Sequence, residues 1–107
     1  MSADKKRIRQ EFRDAVFGRD GHKCRVCSWS IFQDGLQLDA HHITDRNLMP
    51  NGGYVKENGI SLCPSCHEKA EVFHSTGSAL PGWSPEDLYA RIASSRELAE
   101  AASRRLK

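Results

Sequence analysis

The chain has 107 residues, 38% of them hydrophobic and 28% charged, which suits one domain with a small core. A formal net charge of +2 excludes a binder working by bulk positive charge, and no apolar run is long enough to span a bilayer. The opening MSADKKRIRQ lacks the apolar stretch of a secretory signal, so an intracellular, cytoplasmic location with reduced thiols is expected. A core this small commonly needs a staple such as a bound metal.

Charge is distributed unevenly. Residues 1–25 carry eight Lys or Arg against four Asp or Glu, residues 26–71 three against six, and residues 72–107 five against four. A polyanion would therefore meet local patches, the strongest at the N-terminal end. There, Ile8, Phe12 and Val16 recur at i, i+4 and i+8 and predict a helix over 4–18, ended by Gly18 and Gly21. Its plain role is to pack on the core with a solvated basic face. The sharper alternative has Lys5, Lys6, Arg9 and Arg13 also touching phosphate.

The segment LQLDAHHI, entered from a turn at Asp34–Gly35, reads as a strand. TDRNLMPNGGYVKEN reads as loop, GISL as a second short strand, and PSCHEKAEVFHS as a helix opening near Pro64. After a loop over 75–83, a helix is predicted across 84–105, with Ser84 as N-cap, Pro85 at the first helical position and Asp87 closing a capping box. Its apolar stripe, Leu88 and Ile92, weakens beyond Ser94. The expected fold is α+β: a single domain, residues 1–107, with a zinc-supported ββα core over 19–75 and helices on either side. His22 reads as a loop residue, and Trp29 and Trp83 as lids on the core rather than base-stacking platforms.

Cys24, Cys27, Cys63 and Cys66 form two C-x2-C pairs separated by 35 residues. Each pair makes a tight turn with two sulfurs facing one point, as tetrahedral zinc requires, and an inserted hairpin accounts for the long gap. Two disulfides or four unlinked thiols are the alternatives. With four thiolates the zinc site is closed and structural.

That leaves His41, His42, Asn58 and His67. A neutral imidazole binds metal and also accepts a proton near pH 7, and both abilities serve phosphodiester hydrolysis. Over residues 19–71 the elements RDGHKCRVC, LDAHHI, PNGG, NGISLC and CPSCHEKAE resemble the HNH endonuclease family of the ββα-metal (His-Me finger) superfamily, in its zinc-supported form. The resemblance implies that His42 and Asn58 are the catalytic pair of the motif. His42 would be the general base, and Asn58 would hold the hairpin by hydrogen bonds without moving a proton. It further implies that His41 and His67 bind one catalytic divalent cation (Mg2+, Mn2+, Ni2+ or Zn2+) beside a structural Zn2+, and that the substrate is DNA.

Strand parity points to a rival assignment. Adjacent side chains on a regular strand face opposite ways, so Asp39 and His41 would share a site and His41 would be the base. The family assignment instead requires the strand to end near His42, so that irregular backbone turns both rings inward. His67, Glu71 and His74 fall on one helix face, which makes Glu71 and His74 additional ligand candidates. Arg46 and Lys56 flank the glycine loop within reach of phosphate. Lys69 stands one position short of the family's common lysine, where this chain has Ala70. The expected partner is double-stranded DNA, with a homodimer or larger assembly to cut both strands and no membrane. A non-enzymatic zinc-ribbon-like module binding DNA or protein, and RNA cleavage by the same chemistry, are the competing functions.

Overall fold

The computed structural model describes residues 3–28 and 38–106. Trp29, the Asp34–Gly35 turn and the first residues of the expected strand lie outside the described residues. Helix α1 runs Ala3–Arg19. Phe12 and Val16 are buried as their spacing requires, while Ile8 is only half-buried. Gly18 stays inside the helix. The chain leaves it at Gly21 and His22, both at positive φ, with the His22 N–H donating to the Phe17 carbonyl at 3.0 Å.

Strands β1 (Asp39–His42) and β2 (Gly59–Leu62) form an antiparallel pair with His41 opposite Ile60 and His42 opposite Gly59. Gly59 and His42 thus share one face of the pair, and α1 lies directly on it. A Cβ on Gly59 would stand 2.5 Å from Val16 Cγ2 and 2.7 Å from Phe12 Cζ, so only glycine allows this approach. Helix α2 (Pro64–Thr76) covers the face that carries His41. It starts at Pro64 and ends on Gly77, whose left-handed backbone lets its N–H reach the Phe73 carbonyl.

The segment between the strands, expected to be loop, contains three 3-10 turns at Arg46–Leu48, Pro50–Gly53 and Lys56–Asn58. Asn51, Gly52 and Gly53 are consecutively left-handed, which asparagine and glycine tolerate best.

The predicted helix over 84–105 is two helices, α3 (Pro85–Arg91) and α4 (Arg96–Arg104). The capping box at Ser84 and Asp87 is present as expected. The chain then breaks at Ala93, which adopts φ +53°, and Ser95 supplies a second N-cap by accepting the Leu98 N–H at 3.1 Å. The break turns α4 so that Ala99, Ala102 and Ser103 bury against the turns around Pro50–Gly53 and Lys56–Asn58. Asn51 Nδ2 then donates to the Ser103 and Leu106 carbonyls at 3.0 and 3.3 Å.

The core joins Cys24, Ile43, Met49, Ile60, Leu62 and Leu88, with Trp83 packed at its edge. One buried carboxylate ties α1 to the sheet. Asp20 accepts from Arg19 Nε at 2.7 Å and from the Ser61 backbone N–H at 2.9 Å, with Arg25 at 3.4 Å. Among the described residues no helix is long and apolar enough to cross a membrane.

Candidate metal centre and active site

The four cysteines converge. Cys24 and Cys27 come from the turn after α1, Cys63 from the end of β2 and Cys66 from the first turn of α2, and their sulfurs all lie within 4.8 Å of one another. No disulfide joins them, and Cys27 Sγ and Cys63 Sγ stand 3.6 Å apart. Sulfurs bonded to zinc at about 2.3 Å in a tetrahedron are about 3.8 Å apart, so the set fits that ion. Burial opposes ionisation of Cys63, yet hydrogen bonds from Ser65 and Cys66 bring its pKa down to about 6, whereas burial pushes the Cys66 thiol up. A divalent cation would remove this opposition by stabilising all four thiolates at once.

A second cluster lies on the α2 face of the sheet. His41 Nδ1 is 3.3 Å from Glu71 Oε1, and His67 Nε2 is 3.1 Å from the same oxygen. Asp39 Oδ2 is 3.3 Å from His67 Nδ1, and the His41 ring centroid is 5.1 Å from that of His74. His41, Glu71 and His74 bring ligand atoms within 4.8 Å of one another. The His41 side chain is 2% exposed. Burial, then His74, His67 and His42, lower its pKa to about 3, so the imidazole is neutral at pH 7 despite the adjacent carboxylate.

His42 faces the other way. Its ring stacks on Phe12 with centroids 4.5 Å apart and meets Tyr54 edge-on at 4.9 Å, and its Nε2 is buried with no hydrogen-bond partner. Burial, followed by Arg46, lowers its pKa to about 4. β1 ends at His42 as expected, but His42 still pairs with Gly59 in regular alternation, so the expected inward turn of both rings is corrected: Phe12 and Tyr54 hold the His42 ring on the α1 side. Both histidines nevertheless border one open depression of about 230 Å3, together with Arg46, His67, Glu71 and His74.

Asn58 is fully buried and clamps the inter-strand segment. Its Oδ1 accepts from the Thr44 N–H at 3.0 Å and the Tyr89 hydroxyl at 2.7 Å, and its Nδ2 donates to the Thr44 and Gly53 carbonyls. Sequence reasoning missed Tyr89 and Thr44, whose hydroxyls stand 2.7 Å apart in this network. The capping box that fixes α3 was the available signal for Tyr89. It missed Tyr54 as well, the aromatic residue directly after the glycine pair.

Of the expected phosphate contacts, Arg46 borders the depression and Arg9 lies in the adjoining cavity. Arg13 and Lys56 are exposed and line neither, and the Lys56 carbonyl instead accepts from Arg19. Lys69 Nζ sits 5.7 Å over the Trp83 ring. His22 is a loop residue beside Phe17.

A ββα unit with a four-cysteine cluster on one side and a histidine–carboxylate cluster on the other defines a small α+β domain of the metal-finger class. Residues 24–72 match the family model described as HNH endonuclease. No curated protein and no solved structure matches. The match points to nuclease-type chemistry that uses a metal.

Proposed function

We propose that this protein is a divalent-cation-dependent endonuclease that hydrolyses DNA phosphodiester bonds. The observation that carries the reading is the convergence of His41, Glu71 and His74 in a depression also bordered by His67, His42 and Arg46. His41, Glu71 and His74, whose donors converge, are the residues that would hold a cation, with His67, 3.1 Å from Glu71, as a further ligand. Their donor set of imidazoles and one carboxylate suits several divalent ions, and the buried, neutral His41 has its lone pair available. Such a cation would supply positive charge to the scissile phosphate and to the departing 3′ oxygen.

His42 takes the proton from the water that attacks phosphorus. Its lowered pKa keeps the ring unprotonated at neutral pH. A phosphate arriving beside the ring adds the negative charge that would raise its basicity toward the useful range. Arg46 lies where it would meet that phosphate, and Asn58 fixes the backbone that aims the pair. The four-cysteine site would hold a structural zinc and suits a reducing, cytoplasmic compartment. Each site cuts one strand at a time, so a double-strand break would take two copies or two encounters.

One observation favours a second reading. Alternation along β1 puts Asp39 and His41 on the same face, with Asp39 on His67, so Asp39 and His67 would be ligands and His41 the base. Plasmid nicking with Mn2+, paired with calorimetric Mn2+ titration, separates the two. On the proposed reading His42→Ala abolishes nicking but still binds Mn2+, whereas His41→Ala loses Mn2+ binding. Full Mn2+ affinity in His41→Ala with no nicking would favour the second reading. Tight DNA binding by the wild type with no metal-dependent nicking would leave a non-enzymatic module, and preference for RNA over duplex DNA would reassign the substrate.

A further inference from the structure

Next to the histidine depression, on the α1 side, lies a cavity of about 390 Å3 lined by Lys5, Arg9, Arg46, Asn47, Gly52 and Tyr54, among others. Its lining has three cationic side chains and no acidic one. Arg46 also borders the histidine depression, so the two adjoin at that side chain. A second groove, which shares Asp45 and His74 with the depression, is different in character: Asp45, Glu86 and Glu97 are set against the single cation Arg96. A polyanionic strand crossing the histidine site meets attraction on one side and repulsion on the other.

The basic side is ordered rather than a loose patch. Tyr54 Oη accepts from Arg46 Nη1 at 3.3 Å. Burial opposes ionisation of this phenol, yet Arg46 and Arg9 together lower its pKa, and both line the same cavity. The Tyr54 ring is itself fixed, edge-on to Phe12 and to His42. It also lies so close over Gly52 (φ +84°) that a Cβ there would come within 2.7 Å of Tyr54 Cε2. Guanidinium donors gathered in this way match phosphate oxygens, and Asn47 adds an amide group at the wall.

We infer that the Lys5–Arg9–Arg46 cavity is a phosphate subsite for the DNA strand beside the scissile bond. The backbone then leaves the histidine site over Arg46 toward α1, and not across α3 and α4. Tyr54 is the positioning residue that holds Arg9 and Arg46 toward the same phosphate. This inference rests on the nuclease reading for its substrate, but its test does not need turnover.

Binding of a short fluorescein-labelled DNA duplex to the 107-residue chain is followed by anisotropy in EDTA over a range of salt. Lys5→Ala/Arg9→Ala is expected to weaken binding and to lower the slope of log K against log salt by about 1–2, as for one or two lost phosphate contacts. Tyr54→Phe leaves every charge in place and is expected to weaken binding about 3–10-fold through lost alignment, at unchanged melting temperature. Arg104→Ala, which removes a positive charge from α4, serves as the control and is expected to bind as the wild type does. Wild-type affinity in both Tyr54→Phe and the double variant would overturn the subsite, as would equal losses in the Arg104 control. Variants weakened on single-stranded RNA but not on duplex DNA would overturn the DNA assignment. If the wild type binds through this cavity but never nicks, the nuclease reading falls and the subsite stands. If it nicks and the variants bind normally, the reverse holds.

Discussion

The side chain of Asn58 makes four hydrogen bonds in a site with no solvent access. Its amide offers an acceptor and two donors on one planar group, and the inter-strand segment needs both. Truncation would leave the Thr44 N–H and carbonyl and the Tyr89 hydroxyl without this partner. Each unmet buried group costs about 1–3 kcal/mol, and relaxation recovers part of the total. Asn58→Ala is therefore expected to destabilise the protein by roughly 3 kcal/mol, measured by urea denaturation of the zinc-loaded chain. A loss below about 1 kcal/mol would mean that the clamp is dispensable. Asn58 was visible in the sequence by its position five residues before Cys63. Its partners were not, because Tyr89 lies 31 residues away and reaches it only through the packing of α3.

At the scale of elements, the two strands form within the segments expected for them, and α2 starts at Pro64. The C-terminal segment does not follow its local pattern. Nothing in the run RIASSRELAE prohibits a continuous helix, since serine and alanine are tolerated inside one. The double serine also offers a cap, and the burial of Ala99, Ala102 and Ser103 decides in favour of using it. Ala93 takes a left-handed conformation as a result, at about 1–2 kcal/mol for a residue with a Cβ. Ala93→Gly is expected to be neutral or stabilising by up to about 1 kcal/mol in thermal melts. The same change inside a continuous helix would cost about 1 kcal/mol, so the sign of the shift tests the break.

At the scale of the whole molecule, the Cys24–Cys27 turn holds α1 to the β2–α2 junction. With a small hydrophobic core, that sulfur cluster and the buried Asp20 network are the two fasteners of the N-terminal helix. Removal of zinc by a strong thiol-competing chelator is expected to abolish cooperative unfolding and lower helical circular dichroism, with recovery on zinc addition under reducing conditions. Chelation with no change in the melt would show that the cysteines are not a structural centre. Because α1 carries Phe12, on which His42 stacks, and also Lys5 and Arg9, the proposed base and the proposed strand path both depend on the fastener.

The sequence by itself marked the candidate metal ligands: paired cysteines at fixed spacing, adjacent histidines on a strand, and a further histidine one residue past Cys66. Those signals are local, because ligand spacing on a turn or helix is set by backbone geometry alone. It also reached the α+β class and the ββα order through period and punctuation. Only tertiary structure decided which face each of the paired imidazoles occupies. Strand parity offers two opposite registers of burial, and the close seat of α1 over Gly59 selected one of them. Tertiary structure likewise decided the split of the last helix and the gathering of Lys5, Arg9 and Arg46 into one cavity. Those outcomes depend on contacts between segments far apart in the chain, which no short window of residues contains.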